Sequence, residues 1–428
     1  MSNIENLTIS DVCDFIGGSQ PPKTNFSDKL KDGYIRFVQT RDFKTDNFIT
    51  YIPKHLTTKF FGKKDIMIGR YGPPIFQIFR GMEGAYNVAL LKAKPKKNIL
   101  NDYLYYFLIQ KNIFEYVDKL SARTGGQTGV DLVSLYKYPI NLPNISVQQK
   151  IAKVLSDLDA KIKLNNRIQS ELEAMGKTLY DYWFVQFDFP DANGKPYKST
   201  GGKMVWNTEL KREIPESWEV KKVKDIAETG SGGTPLKSKK EYFEKGTIPW
   251  INSGEVNASF IIASRKFITQ KGLDNSSAKL FQRGTILMAM YGATAGQVSL
   301  IDLEASTNQA VCGIIPNDKR MIPYLKYGLH QLYDYLINLS SGSARDNLSQ
   351  DKIKELSFVI PEDNLVEQFY KISNSHFEMI LKNLKENQEL ASLRDWLLPM
   401  LMNGQVSVGD VEEKLGMVAE GNVEYKKS

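Results

Sequence analysis

The chain has 428 residues, 42% of them apolar and 25% charged. That composition excludes a disordered chain, and that length makes room for two to four domains. Two cysteines, Cys13 and Cys312, and three histidines exclude a disulfide framework and argue against a structural zinc site. The most apolar tract, Ile286–Tyr291, is far short of the ~18 residues of a membrane span. Met1–Asp14 carries acids where an export signal is basic and then apolar, so a cytoplasmic protein with no membrane contact is expected.

Net charge is +7 and unevenly spread. Residues 1–145 carry 20 Lys and Arg against 13 Asp and Glu, and residues 211–361 carry 20 against 16; the remaining stretches are net acidic by 4. Two separated basic blocks suit a polyanion touched at two places.

Residues 1–145 form a mixed region in which short β-like runs, such as Tyr34–Gln39, are punctuated by Gly and Pro. A long helix is expected over 146–186, just after Pro143. Its heptad a positions read Ile151, Leu158, Asn165, Leu172 and Leu179, and its d positions Val154, Lys161, Ile168, Met175 and Tyr182. Leu155, Ile162 and Trp183 widen the stripe, a coiled-coil pattern held for about five heptads. Segment 187–214 has turn composition and is expected as a linker. A second mixed region covers 215–361. Pro361 precedes a second long helix over 362–403, with a stripe of Leu365, Phe369, Ile372, Met379, Leu390, Leu393, Leu397 and Met400. The tail, 404–428, is expected to be weakly structured.

The two halves repeat each other. Asp11-Val12 through Gly18-Ser19-Gln20-Pro21 aligns with Asp225-Ile226 through Gly232-Gly233-Thr234-Pro235. Ile35–Val38 aligns with Ile248–Ile251, Asp65–Gly72 with Thr285–Gly292, Asn87-Val88-Ala89 with Asn308-Gln309-Ala310, and Tyr103-Leu104 with Tyr324-Leu325. Leu142-Pro143 and Gln149 align with Ile360-Pro361 and Gln368. Six blocks in one order indicate an internal duplication. The expected fold is therefore mixed α/β (α+β), with two tandem domains, two long helices and a pseudo-twofold repeat. Each helix is about 60 Å long at 1.5 Å per residue. Stripes of that length must be buried, and antiparallel pairing into a coiled coil buries both. It also brings Asn165-Asn166 against Asn383 and Asn387, a polar layer able to fix register.

Catalytic signals are weak. Gly17–Thr24 resembles a phosphate-binding loop, but Pro22 stands where glycine is needed and has no N–H to offer. Asp191, Glu209 and Lys211 fit the loose pattern of a metal-dependent nuclease, yet they fall in the linker, where no strand pair is expected to fix them. None of the three histidines has a nucleophile-elbow partner, and the Asn/Asp-Pro-Pro-Tyr/Phe sequence of an amino-methyltransferase is absent. The chain reads as non-catalytic. A self-contained nuclease or an adaptor for acidic proteins are the alternatives.

The central block Ile140-Asn141-Leu142-Pro143, Gln148-Gln149-Lys150-Ile151-Ala152, Leu164-Asn165-Asn166-Arg167-Ile168 and Trp183-Phe184-Val185-Gln186-Phe187-Asp188 resembles the specificity subunit of type I restriction–modification systems. So does the opening Gly232-Gly233-Thr234-Pro235. The resemblance runs from about Leu7 to Gly404; Gly18-Ser19-Gln20-Pro21 departs from it, and Gln148 stands where Glu is usual. It implies two target-recognition domains, each reading one half of a split duplex DNA site, with the long helices as spacer and docking surface. It implies no cofactor in this chain. Two modification subunits would carry S-adenosylmethionine and methylate adenine, and motor-nuclease restriction subunits would use ATP and Mg²⁺.

Base edges are read by Arg, Asn, Gln and similar groups, and phosphates by cations. In the first domain the candidates are Ser19, Gln20 and Lys23; Gln39, Thr40 and Arg41; Arg70 and Tyr71; and Arg123, Thr124 and Gln127. In the second they are Gly233, Thr234 and Lys237; Asn252 and Ser253; Tyr291; Asn308 and Gln309; and Ser343, Arg345 and Asn347. Ile151, Leu158, Asn165, Ile168, Leu172, Leu179, Trp183, Phe369, Ile372, Leu390, Leu393 and Leu397 are the candidates for spacer and partner docking.

Overall fold

A computed structural model describes residues 7–72, 74–121, 129–332 and 348–409. Residues up to Ile162 together with those from Glu389 form one compact unit, and Lys163–Gln388 form the other.

The first unit contains β1 (Cys13–Gly17), β2 (Tyr34–Val38), β3 (Tyr51–Pro53), β4 (Phe60–Phe61), β5 (Ile66–Gly69), β6 (Ile78–Phe79), β7 (Gly84–Tyr86) and β8 (Leu90–Pro95). They make two four-stranded sheets, ordered β1-β8-β5-β6 and β3-β2-β7-β4. In the second sheet β2 and β7 run parallel. Residues of β5, β8 and the helix Asn101–Leu108 pack with Ile151, Val154, Leu155 and Leu158, and with Leu397, Leu398 and Leu401.

The second unit opens with β9 (Met204–Asn207), β10 (Arg212–Pro215) and β11 (Glu219–Lys222). Then come β12 (Ala227–Ser231), β13 (Ile248–Ile251), β14 (Phe260–Ile261), β15 (Phe267–Ile268), β16 (Leu280–Phe281), β17 (Ile286–Ala289), β18 (Val298–Ile301), β19 (Ala305–Thr307), β20 (Val311–Pro316) and β21 (Ser357–Ile360). The sheet orders are β12-β20-β17-β18-β14 and β15-β13-β19-β16. Apart from the added β14 these two sheets repeat those of the first domain strand for strand, including the parallel pair, here β13 with β19; the pairs β10-β9 and β11-β21 form separate two-stranded sheets. The expected duplication is present in topology as well as in sequence.

Backbone hydrogen bonds repeat too. Gly18 N donates to Leu90 O at 3.2 Å and Ser19 N to Tyr86 O at 3.1 Å; Gly232 N donates to Val311 O at 3.2 Å and Gly233 N to Thr307 O at 2.9 Å. A Cβ on Gly18 would overlap the Asn87 carbonyl oxygen, and one on Gly232 would overlap Thr307 Oγ1 and its carbonyl oxygen. Glycine is required at both places because two backbones meet there.

The stretch 187–214 corrects an expectation. It is a folded piece, not a strandless linker: β9 and β10 pair antiparallel, and Phe187, Phe189, Ile214 and Trp218 are buried in the core of the second unit. Turn residues mark its corners, but its aromatics bury enough apolar surface to hold it.

The long helices are Ile145–Tyr180, followed by a π-helical turn over Asp181–Val185, and Asp363–Met402. They pair antiparallel within each unit. In the first, Arg394 meets Asp159 at 2.8 Å. In the second, the Trp183 and Phe369 rings lie 5.9 Å apart, and Asn165 Nδ2 donates to Asn387 Oδ1 at 3.0 Å and to Glu386 Oε2 at 2.8 Å. Asn387 Nδ2 in turn donates to Asn166 Oδ1 at 2.8 Å. The expected asparagine layer is therefore formed by Asn165, Asn166 and Asn387, with Glu386 joining it, whereas the buried Asn383 Nδ2 has no hydrogen-bond partner. The strict heptad is not kept. Met175 and Tyr182 are exposed, as are Ile372 and Met379, while Ser373, Phe377 and Ile380 are buried. A straight helix drifts by about 20° per heptad from a seven-residue repeat. The buried stripe follows 3.6 residues per turn and leaves the later d positions outside.

Gln148 accounts for its own departure from the usual Glu. Fully buried, it accepts from Leu100 N at 2.9 Å and donates to Asn98 O at 2.9 Å and Pro143 O at 2.8 Å. A carboxylate there would face two carbonyl oxygens. Its counterpart in the repeat, Glu367, meets Arg320 at 3.4 Å instead. Gln148→Glu is expected to lower stability by about 3 kcal/mol, since two buried acceptors lose their donor and a charge is buried; thermal unfolding of the purified chain checks this. Gly232→Ala is expected to cost about 1–3 kcal/mol through overpacking, measured in the same way.

Candidate nucleic-acid interface

In the first domain four strand ends converge. Asn87 N donates to Val38 O at 3.1 Å, and Arg70 N donates to Ala89 O at 2.8 Å. With the bonds of Gly18 and Ser19, these place the segments after β1, β2, β5 and β7 side by side. Thr40 packs against Gly69, and Ser19 Oγ shares a hydrogen bond with Thr57 Oγ1 at 2.6 Å. Ser19, Gln39, Thr40, Arg41, Arg70 and Tyr71 therefore share one edge. Gln20 and Lys23 are exposed in the loop leading away from it.

The short turn after β2 is fixed by Asp42, whose Oδ2 accepts from Gln39 N at 2.6 Å. Burial pushes the Asp42 carboxyl above its ordinary range, against that amide and the nearby Arg36 and Arg41. The Arg41 guanidinium lies 4.9 Å over the exposed Phe48 ring, and that of Arg70 lies 5.0 Å over Tyr71. Resting on an aromatic face limits the rotamers of an arginine, so less entropy is lost when it meets a ligand.

The second domain builds the same edge. Asn308 N donates to Ile251 O at 3.0 Å and Met290 N to Ala310 O at 2.8 Å. Thr234 Oγ1 and Gln309 Oε1 are hydrogen-bonded. Thr294 Oγ1 donates to Ser253 O at 2.9 Å, joining the turns after β13 and β17. Asn252 N is held by Glu255 Oε1 at 3.1 Å, as Gln39 is by Asp42. Gly233, Thr234, Asn252, Ser253, Tyr291, Asn308 and Gln309 thus come together, and Lys237 is exposed farther along its loop. Arg123, Thr124, Gln127, Ser343, Arg345 and Asn347 lie outside the described residues.

Three residues of these edges escaped sequence reasoning. Asn87 occupies the place of Asn308 and makes the same bond, its Oδ1 accepting from Ala89 N at 3.2 Å; the repeat alignment already carried that signal. Thr57 and Thr294 join through tertiary contacts that no local pattern announces.

The scaffold is common and the side chains are not. Exposed Val88 stands where the second domain has Gln309, and Arg70 where it has Met290. Two edges of one design therefore present different chemistry. A family model described as the type I restriction modification DNA specificity domain matches residues 1–174 and again 215–391. The chain belongs to this family.

Among curated relatives, the type I restriction enzyme MjaIX specificity subunit of Methanocaldococcus jannaschii is 27% identical over 425 residues, spanning 94% of this chain and 93% of the relative. The HindI specificity subunit of Haemophilus influenzae is 28% identical over 367 residues, 73% of this chain and 79% of the relative. The crystal structure of a type I restriction–modification S subunit from M. genitalium superposes with a TM-score of 0.58 at 17% identity, covering 94% of this chain and 97% of that one, which shows a shared fold. A specificity subunit recognises the DNA target and is itself non-catalytic; activity lies in other subunits.

The nuclease alternative finds no support. Asp191 Oδ1 accepts from Asn193 N and Lys195 N, each at 2.8 Å, and Glu209 Oε1 accepts from Ser357 Oγ at 2.5 Å. The Asp191 carboxylate holds a local turn, and that of Glu209 is tied to Ser357 of β21. Among the described residues no helix is long and apolar enough to cross a membrane.

If Asp42 fixes the turn that carries Arg41, Asp42→Ala should leave the rest of the fold intact and weaken DNA binding about tenfold, a factor worth ~1.4 kcal/mol. Equilibrium titration of duplex DNA, with thermal unfolding as control, measures both.

Proposed function

We propose that each converged edge reads one half of a bipartite duplex DNA target. The observation that supports this is the repeated convergence of four strand ends, held by the same backbone bonds and carrying different side chains. Arg41 and Arg70 suit guanine, and Asn308 and Gln309 suit adenine, by bidentate pairing at base edges in the major groove. Lys23 and Lys237, exposed in the loops that lead away from the edges, suit phosphates. Half-sites about one helical turn apart, roughly 34 Å, present the same face of the duplex.

The paired helices serve as the spacer in this reading. Their outer faces, where Met175 and Tyr182 are exposed, dock two modification subunits. Those subunits supply S-adenosylmethionine and adenine methylation, and restriction subunits supply ATP-dependent cleavage. The complex works in the cytoplasm.

The test is binding by the complex of this chain with its modification subunits, using duplexes in which one half-site at a time is scrambled. Gln309→Ala should relax discrimination in one half only, by about 1–3 kcal/mol, and Arg41→Ala in the other half only, by a similar amount. If both variants lose discrimination in the same half, or in neither, the assignment fails. Leu172→Asp, a charge on the partly buried stripe of the first long helix, should loosen the spacer and abolish paired-site recognition while each half-site still binds weakly.

A further inference from the structure

A cavity of about 370 Å³ lies in the second unit. Glu173 and Lys177 from the first long helix line one side. Ser259 and Gln297 line another, and Lys326 with Tyr327 from the helix Ile322–Gln331 closes it. None of these residues belongs to the reading edge.

Lys326 is the unusual member. It is only 4% exposed. Its Nζ donates to Ser259 Oγ at 2.7 Å and lies 4.5 Å from the Phe260 ring centroid, 5.3 Å from Tyr327 and 5.4 Å from Phe377. An ammonium has three hydrogens to donate, and among the described residues no carboxylate comes within ion-pairing distance of this one. Beside it the Tyr327 hydroxyl is buried without a hydrogen-bond partner. A buried charge of this kind is costly unless something pairs with it.

The internal repeat supplies the comparison. Lys326-Tyr327 occupies the place of Tyr105-Tyr106 in the first half. There Tyr106 OH donates to Asp159 Oδ2 at 2.7 Å, Arg394 donates to Asp159 Oδ1 at 2.8 Å, and the Arg80 guanidinium stacks 3.7 Å from the Tyr105 ring centroid. The first copy satisfies its buried polar groups with its own side chains. The second copy has the cation and the phenol, but the one carboxylate on the cavity wall, Glu173, is not hydrogen-bonded to either.

We propose that this cavity is a binding site for a small oxyanion, a phosphate- or carboxylate-bearing ligand whose oxygens pair with the Lys326 ammonium. Gln297 and the Lys177 ammonium add donors around it, and Glu173 is the single opposing charge; His330 lies on the same wall as Lys326. The volume falls within the range of small-ligand sites, about 300–1,000 Å³. Burial holds the Lys326 ammonium down at about 8, with the Glu173 carboxylate acting in the opposite sense. Capture of the anion therefore weakens as pH rises through 8.

The test is isothermal titration of the full-length chain with inorganic phosphate and, separately, with malonate, at matched ionic strength. Saturable binding of at least one is expected, and which one binds separates a phosphoryl from a carboxylate ligand. Lys326→Met, which keeps the apolar stem among the rings, should weaken binding at least tenfold without lowering the Tm. Glu173→Gln should tighten it several-fold, a change opposite to that of simple damage. Malonate stays ionised between pH 7 and 9, so its binding should fall across that interval. No saturable binding of either anion, or equal binding by Lys326→Met, overturns the proposal.

Discussion

The close passage of two backbones at Gly18 and Gly232 is the constraint on which each domain rests. The end of β1 crosses the residue after β7, and the end of β12 crosses the end of β19, at a distance that no side chain tolerates. Once that crossing is made, the amides of Ser19 and Gly233 bond to the carbonyls they face, and the neighbouring strand ends fall into place. The converged edge is thus set first by the main chain. Its outward-facing side chains are free to vary, because the crossing itself is bonded through the main chain, while side-chain bonds such as Gln39 N to Asp42 and Thr294 to Ser253 O fix the individual turns.

That independence explains how the two halves diverged while keeping one topology. Arg70 stands where the second half has Met290, and Val88 where it has Gln309, on matched scaffolds. Interior polar positions diverged as well, some with local compensation and one without. Gln148 donates to two carbonyls where Glu367 meets an arginine. Tyr106 pairs with a helix carboxylate, whereas Tyr327 has none.

Much of this was legible in the sequence. The duplication was visible because six blocks keep their order, and matched blocks occupy equivalent elements in the two halves: strands and their ends, the helices that hold Tyr103 and Tyr324, and the starts of the long helices. The asparagine layer was visible because antiparallel pairing of two helices of equal length must bring their midpoints together. Other features were hidden for physical reasons. The aromatics of 187–214 are spaced among turn residues, so no periodicity marks them as a core until β9 and β10 pair. The heptad pattern overreached because sequence alone does not distinguish a 3.5 from a 3.6 period over a few turns, and the drift shows at Met175 and Tyr182 on one helix and at Ile372 and Met379 on the other. Thr57 and Thr294 reach the edges through contacts over long sequence separations.

The central claim is that two equivalently built edges read two separate stretches of one DNA. Its most direct test is mapping of methylated adenines across the host genome, with and without this chain. The account predicts a motif that appears only with the chain and consists of two short specified blocks around a gap of fixed length. A single uninterrupted block, or methylation unchanged when the chain is deleted, would contradict it.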